Sequence, residues 1–425
     1  MRTKFIDLKY VPGKDDVIAE FFVEPNKISF EKACSHIAGE SSIGTWTEVK
    51  TMKPRISKEL KPAVFSIRKR EKIIKIAYPL RLFELGNVPQ LMSSIGGNIF
   101  GMKAVRNLRL LDIHFPEKYI KSFQGPKFGI PGVRNKLHIR KRPLLGTIVK
   151  PKLGLNEKEH ADSAYRSWIG GIDLVKDDEN LTNMNFNKFG RRVRETLKMR
   201  DRAEKKTGEG KFYMPNVTAE THEMLKRANF VRKNGGEYVM VDIVSVGWSG
   251  LQTLREFNGD FNLIIHAHRA GHAAFTKNPK HGISMMVVAK LARLIGVDQI
   301  HIGTAKVGKM DDSETCEIED EIESKFITEL KGGHSLEQFW FHIKPVFAVA
   351  SGGLHPGSIP KLLERMGTNV IIQAGGGVHG HPKGTEAGAR AMKQSLEAAM
   401  KGIPLEEYAK KRKELSQSIK KWGVK

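Results

Sequence analysis

The sequence predicts an α/β chain: an N-terminal α+β domain over residues 1–122, then a (β/α)8 TIM barrel with a basic helical tail over residues 123–425. Three observations carry this expectation. From Pro143 onward, eight apolar runs of strand length recur with starts 24 to 46 residues apart, which leaves room for a helix between neighbours. Runs that are apolar almost throughout mark strands covered on both faces, as in a parallel sheet. Residues able to carry chemistry then collect at the ends of those runs, where barrel enzymes place their sites. An open doubly wound sheet is the competing architecture; no G-x-G-x-x-G turn follows the first run, which weighs against it.

Bulk properties narrow the function classes. A chain of 425 residues, 40% hydrophobic and 28% charged, is globular rather than disordered. Two cysteines, Cys34 and Cys316, give neither a disulfide framework nor a metal spacing, so a reducing, cytoplasmic setting is expected. The first residues lack an apolar signal core, and no run approaches the roughly 18 apolar residues of a membrane span. The formal net charge is +24, with local excesses at Lys50–Lys75 and in residues 401–425, where eight Lys and Arg stand against three Glu. Such charge suits nucleic acid, an acidic surface or an anionic substrate. Without aromatic interleaving or a known nucleic-acid motif it reads as solvated helix faces, and neither a nucleic-acid nor a membrane partner is expected.

In the N-terminal domain, Val17–Val23 reads as a strand closed by Pro25. Ser29 to Ala38 reads as a helix with Ser29 as its N-cap. Ala63–Ile67, Lys72–Ala77 and Arg106–Phe115 read as strands, and Val88–Ser94 as a helix with Pro89 in its first turn. The eight later runs are Leu144–Lys150, Gly171–Asp177, Lys211–Asn216, Tyr238–Val244, Asn262–Arg269, Gln299–Ala305, Pro345–Gly353 and Asn369–Gly377. Lys150 and Lys152 end the first; Lys176, Asp178 and Glu179 the second; Asn216 the third. His266, His268 and Arg269 end the fifth, and His301 lies on the sixth with Lys306 and Lys309 beyond it. Ser351-Gly352-Gly353 and Gly375-Gly376-Gly377 close the last two. Seven of eight strand ends therefore bring such residues to one face of the barrel.

The stretch Gly170–Asn180 is the most informative. Strand residues two apart point the same way, so Lys176 and Asp178 face together, with Glu179 where strand gives way to loop. Acids there can hold a hard cation such as Mg2+, which prefers oxygen ligands. A lysine beside them is either part of a salt-bridge cluster or chemically converted to an anion. The glycine turns after runs seven and eight offer backbone N–H groups to a phosphate. Arg269, with His301, can hold a second anion, because a guanidinium forks onto phosphate. Tight turns, an ion pair and structural histidines at His268, His272 and His301 account for the same residues more plainly. Two anion cradles around a Mg2+ site suit a bisphosphorylated, sugar-like substrate and an enediolate made by proton abstraction beside a carbonyl.

Several motifs, in one order, resemble the large chain of ribulose-1,5-bisphosphate carboxylase/oxygenase (RuBisCO). They are Gly146-Thr-Ile-Val-Lys150-Pro-Lys152, Gly170-Gly-Ile-Asp-Leu-Val-Lys176-Asp-Asp178-Glu179, His268-Arg269-Ala-Gly-His272, Val307-Gly308-Lys309-Met310, Ser351-Gly-Gly353-Leu-His355 and Gly375-Gly376-Gly-Val-His-Gly-His-Pro382. Glu40-Ser-Ser-Ile-Gly-Thr45-Trp46 and Gly97-Asn98-Ile-Phe-Gly101 match as well. The likeness spans roughly residues 10–400 and looks closest to archaeal, form III-like enzymes.

The resemblance implies carboxylation of ribulose 1,5-bisphosphate by CO2, with O2 competing, in a homodimer or an assembly of dimers and without a small subunit. It implies that Lys176 takes up CO2 as a carbamate and joins Asp178 and Glu179 on Mg2+. It makes Lys176 the enolising base, Lys150 the acid that protonates the product carbanion, His268 the aid to hydration, and Lys309 the loop lysine that steadies the added carboxylate. Lys150 and Lys152 are the nearby cations. Arg269 and His301 resemble one phosphate site; Thr45, Trp46, Gly353, Gly375 and Gly376 the other; Ser351 would hold a substrate hydroxyl. Glu40 and Asn98 would come from the partner subunit. The chain departs from the pattern at Gly303–Asp312, which is one residue longer and lacks the usual Glu-Gly, so Lys306 competes with Lys309 for the loop role. Ile148 stands where many plant-type chains carry Thr. A related enolase or isomerase acting on another phosphorylated sugar is the alternative function.

Overall fold

The computed structural model describes residues 5–45, 47, 49–309, 314–329 and 334–425. It divides into two compact units. The first comprises residues 1–125, 271–295 and 324–343; the second comprises 126–270, 296–323 and 344–425.

In the first unit a five-stranded sheet runs in the order Gly282–Ile283, Val105–His114, Asp16–Pro25, Ile73–Pro79, Ala63–Arg68. Its pairings are antiparallel except that of Gly282–Ile283 with the strand beside it. The helix Phe30–Glu40 begins where Ser29 accepts a hydrogen bond from the Lys32 N–H. It buries Phe30, Ala33, Cys34, Ile37 and Ala38, a stripe at helical spacing. Each such side chain, when fully buried, contributes about 1.5–3 kcal/mol if it is the size of Ile or Phe.

In the second unit all eight expected runs become strands, each shorter than the apolar run that announced it. Strands one to eight are Leu144–Ile148, Leu174–Lys176, Phe212–Met214, Tyr238–Asp242, Ile264–His268, Gln299–His301, Phe347–Ser351 and Val370–Gln373. They lie in the spatial order three, two, one, eight, seven, six, five, four, and every ladder is parallel. A parallel bridge between Asn216 and Met240 joins strand three to strand four and closes the barrel. Helix Gly129–Leu137 sends Ile130, Val133 and Leu137 against Leu144, Leu174, Phe212, Tyr238, Ile264, Phe347 and Ile371. Most of those residues lead their strands, so the helix plugs the N-terminal end and leaves the carboxyl ends for polar groups. A groove of about 500 Å³ lined by Pro131, Gly132, Arg134, Asn135 and Arg140 lies along this helix, away from the strand ends where the polar groups gather.

Among the described residues, no helix is long and apolar enough to cross a membrane.

Candidate active site

Lys176 closes strand two and is fully buried, paired in register with Ile148 and Met214. Its ammonium donates to the Asp177 carbonyl at 2.8 Å and lies 3.8 Å from Glu179 Oε2. Burial drives its pKa down, and Glu179, Asp242, Asp178 and Asp177 oppose that only in part. A lysine held this way gives up its proton, and becomes a nucleophile, more readily than a solvated one.

The two acids beside it are held differently. Asp178 accepts from Lys150 Nζ at 2.5 Å and, through its other oxygen, from the Asn180 side chain at 3.0 Å. Glu179 faces Lys152 at 3.3 Å and His268 Nε2 at 3.7 Å. Burial pushes Glu179 upward, yet Lys176, His268 and Lys152 hold it at about 2, so it is ionised. Among the described residues, no group of three or more His, Cys, Asp and Glu side chains is arranged for a metal. Asp178 and Glu179 supply two carboxylates with cations around them, a donor set that fits a hard divalent ion once a third anionic group joins.

The alternation that turns Lys176 and Asp178 inward turns Asp177 outward, toward the helix layer. There it accepts from Tyr213 Oη at 2.6 Å, Arg192 Nε at 3.1 Å and the Asn216 N–H at 2.9 Å. Burial pushes this carboxyl up, but Arg192 and its donors hold it well below the usual range. The cluster is thus both things at once: Asp177 is the salt-bridged structural acid, and Asp178 and Glu179 stay on the open side.

Across the barrel, His268 Nδ1 shares a hydrogen bond of 2.8 Å with Asp242 Oδ1 at the end of strand four. Burial, then Lys176, lowers the His268 pKa against the pull of Asp242 and Glu179. The His301 ring packs edge-on to His268 at 4.6 Å between centroids, with Nδ1 2.6 Å from Ser351 Oγ. Burial, then His268, His266 and Lys176, holds the His301 pKa well below its ordinary value, and Arg269 adds to this.

The loop after strand six bends through Ala305 and Lys306, both left-handed at φ 49° and 62°. Lys306 is exposed. The Lys309 N–H donates to the Gly352 carbonyl at 3.0 Å. Its side chain lies over Gly353, where an added Cβ would meet Lys309 Cγ at 2.5 Å. Gly375 stands against Lys150 in the same manner, 3.0 Å from Cε. Met310, Asp311 and Asp312 lie outside the described residues, as does Trp46. Glu40 ends the helix Phe30–Glu40, Thr45 follows it, and Asn98 opens a short turn at Asn98–Gly101; all three belong to the first unit. Lys150, Lys152, Lys176, Asp178, Glu179, His268, Arg269, His301, Lys309, Ser351, Gly353, Gly375 and Gly376 belong to the second.

Sequence reasoning gave no role to four participants. Asp242 was legible as an acid within the fourth apolar run. His266 was marked near the end of the fifth run without a role, and Gln299, which opens the sixth, signs nothing by type. His379 bonds Thr147 Oγ1 at 3.2 Å and Thr385 Oγ1 at 3.1 Å, bracing the turn after strand eight.

Residues 129–422 match the model of the ribulose bisphosphate carboxylase large chain catalytic domain, and residues 4–119 that of its N-terminal domain. The chain is 51% identical over 426 residues to the ribulose bisphosphate carboxylase of Methanosarcina mazei, covering 99% of each chain. It is 52% identical over 423 residues to that of Pyrococcus abyssi, covering 99% of this chain and 96% of the relative. Among solved structures, the dimeric archaeal Rubisco of Hyperthermus butylicus matches with a TM-score of 0.94 at 48% identity, covering 100% of this chain and 99% of that one. The octameric Rubisco of Pyrococcus horikoshii matches with a TM-score of 0.93 at 50% identity, covering 99% and 96%. With both domain models matched in order and half the residues shared along its whole length, the chain belongs to the ribulose bisphosphate carboxylase large chain family.

Proposed function

We propose that this protein carboxylates ribulose 1,5-bisphosphate to two molecules of 3-phosphoglycerate, with O2 competing for the same intermediate. The observation that carries the proposal is the buried Lys176 amine, 3.8 Å from Glu179 at the end of strand two, with its pKa lowered by desolvation. A neutral amine can add CO2 through its lone pair and release one N–H proton to solvent, which leaves an anionic carbamate. That anion would complete, with Asp178 and Glu179, the ligand set for Mg2+. Bound Mg2+ supplies electrostatic stabilisation of oxyanion charge as a proton leaves carbon beside a carbonyl.

The residues then divide the work. Lys176, as carbamate, takes the proton that makes the enediolate. Lys150, within reach of Asp178, returns a proton to the product carbanion. His268, oriented by Asp242, assists the addition of water. Lys309, lying over Gly353, steadies the carboxylate that CO2 becomes. Arg269 faces one phosphate with His301 beside it, and Gly353, Gly375 and Gly376 offer backbone to the other. Lys152 adds positive charge near Glu179, and Ser351 meets a substrate hydroxyl. Glu40 and Asn98 would complete the site of a second copy, which makes a homodimer the smallest active assembly.

Fixation of radiolabelled CO2 with the bisphosphate and Mg2+ tests this reading. The parent protein is expected to yield two 3-phosphoglycerate per bisphosphate, and Lys176→Ala none. Full fixation by Lys176→Ala sinks the mechanism. An uncleaved isomer as the parent's product points instead to an enolase or isomerase.

A further inference from the structure

A continuous hydrogen-bonded chain runs from the barrel mouth into its core. Ser351 Oγ lies 2.6 Å from His301 Nδ1, and His301 Nε2 lies 2.9 Å from His266 Nε2. His266 Nδ1 lies 2.8 Å from Gln299 Oε1, and Gln299 Nε2 donates to Tyr238 Oη at 3.0 Å. His266, Gln299 and Tyr238 are fully buried and His301 is 4% exposed, so no solvent intervenes.

With the Gln299 amide oxygen toward His266 and its nitrogen toward Tyr238, proton counting sets the direction of the other bonds. Burial pushes the pKa of His266 down to about 3 and that of His301 well below its ordinary value, so both rings are neutral with one N–H each. An amide oxygen can only accept, so His266 carries its hydrogen on Nδ1 and Nε2 is bare. His301 must then donate from Nε2, which leaves its Nδ1 bare. Only the Ser351 hydroxyl hydrogen can fill that last bond. Ser351 therefore turns its lone pairs, not its hydrogen, toward the barrel mouth. Reversing the Gln299 amide reverses all of these bonds and makes Ser351 a donor.

We infer that Gln299 and His266 are positioning residues which, through the His301 tautomer, present Ser351 as a hydrogen-bond acceptor for a hydroxyl of a polyol substrate. The inference rests on the reading above only for the identity of that polyol. A site built to accept selects a hydroxyl-bearing carbon over a carbonyl at that place, because a carbonyl would leave two acceptors facing each other.

Neutron diffraction from deuterium-exchanged crystals of the unaltered protein reads the tautomers directly. Deuterium is expected on His266 Nδ1 and His301 Nε2; deuterium on His266 Nε2 and His301 Nδ1 overturns the inference. Kinetics give the second arm. Gln299→Met, which lacks the acceptor, should raise KM for ribulose bisphosphate about tenfold, the worth of one hydrogen bond, with kcat within about twofold. Gln299→Glu retains an acceptor for His266 and should bring KM back to within about threefold of the parent. An unchanged KM in Gln299→Met, or no rescue by Gln299→Glu, removes the positioning role. If the parent fixes no CO2 the functional reading fails, and the neutron result alone decides this one.

Discussion

Lys150, just past the end of strand one, reaches Asp178, just past the end of strand two, with Nζ and Oδ2 2.5 Å apart. The parallel pairing of Ile148 with Lys176 sets this spacing, because it brings the two strand ends level. Gly375 leaves the room that the lysine stem needs. One amine thus stands beside both the carboxylate pair and the glycine turn after strand eight.

If Lys150 acts late, as a proton donor to the product carbanion, its loss should stall the reaction after enolisation. Lys150→Met is expected to lower 3-phosphoglycerate formation by about 100-fold or more, the usual weight of a positioned acid. Exchange of the substrate's own proton with tritiated water should continue. Loss of exchange in step with product would assign Lys150 to the first step instead.

Lys176 links stability to pH in a defined direction. Desolvation lowers its pKa in the folded chain, so the unfolded chain binds that proton more readily. Below the folded pKa the buried ammonium opposes folding in full. The opposition fades as pH rises through that value toward 10.5, so stability rises with pH in this window. Lys176→Met should flatten the slope and raise the urea midpoint near neutral pH, in buffer free of CO2 and metal. A steeper slope or a lower midpoint in the variant contradicts the assigned direction.

The barrel was legible because strands buried on both faces cannot hide: each apolar run shows whatever the neighbouring residues are. Run length misled at the ends, where Lys150, Asp177 and Arg269 continue the pattern past the last strand residue. Ser29 was readable as a cap because its hydroxyl answers a local need, the Lys32 N–H three residues on. The pairing of Gly282–Ile283 with Val105–His114 was not readable, since two residues carry no period and their partner lies far away in sequence. In the site, residue type announced Lys176, Asp178 and Glu179. Gln299 matters only for which atom it turns toward His266, and sequence does not encode that by type.

The first unit holds a buried pair whose rupture should be costly. Lys290 Nζ lies 2.9 Å from Asp112 Oδ1, and neither side chain is exposed. Asp112 also accepts from the Ile113 and Leu336 N–H groups, at 2.7 Å each. Burial pushes its pKa up and Lys290 pulls it back. Lys290→Met leaves a buried carboxylate without its cation and should cost about 3–5 kcal/mol. Adding Asp112→Leu should recover part of that loss. Denaturant midpoints for the two single variants and the double variant decide it, and additive losses would show that the pair is not coupled.

Gly353 controls where Lys309 can lie. At φ +75° it occupies backbone space that L side chains avoid, and its missing Cβ leaves the volume that Lys309 Cγ fills from 2.5 Å away. The Lys309 N–H bond to the Gly352 carbonyl and this contact register the chain at Lys309. Gly353→Ala should displace the amine by about 1 Å and lower carboxylation on the order of 100-fold. Because the alanine also strains the turn, the single variant does not isolate the cause. Lys309→Ala provides the second edge of a cycle: if Gly353→Ala acts by moving the amine, it should cost far less in a chain that already lacks it. Equal losses in both backgrounds would mean that Gly353 serves its own turn and leaves the reach of Lys309 unchanged.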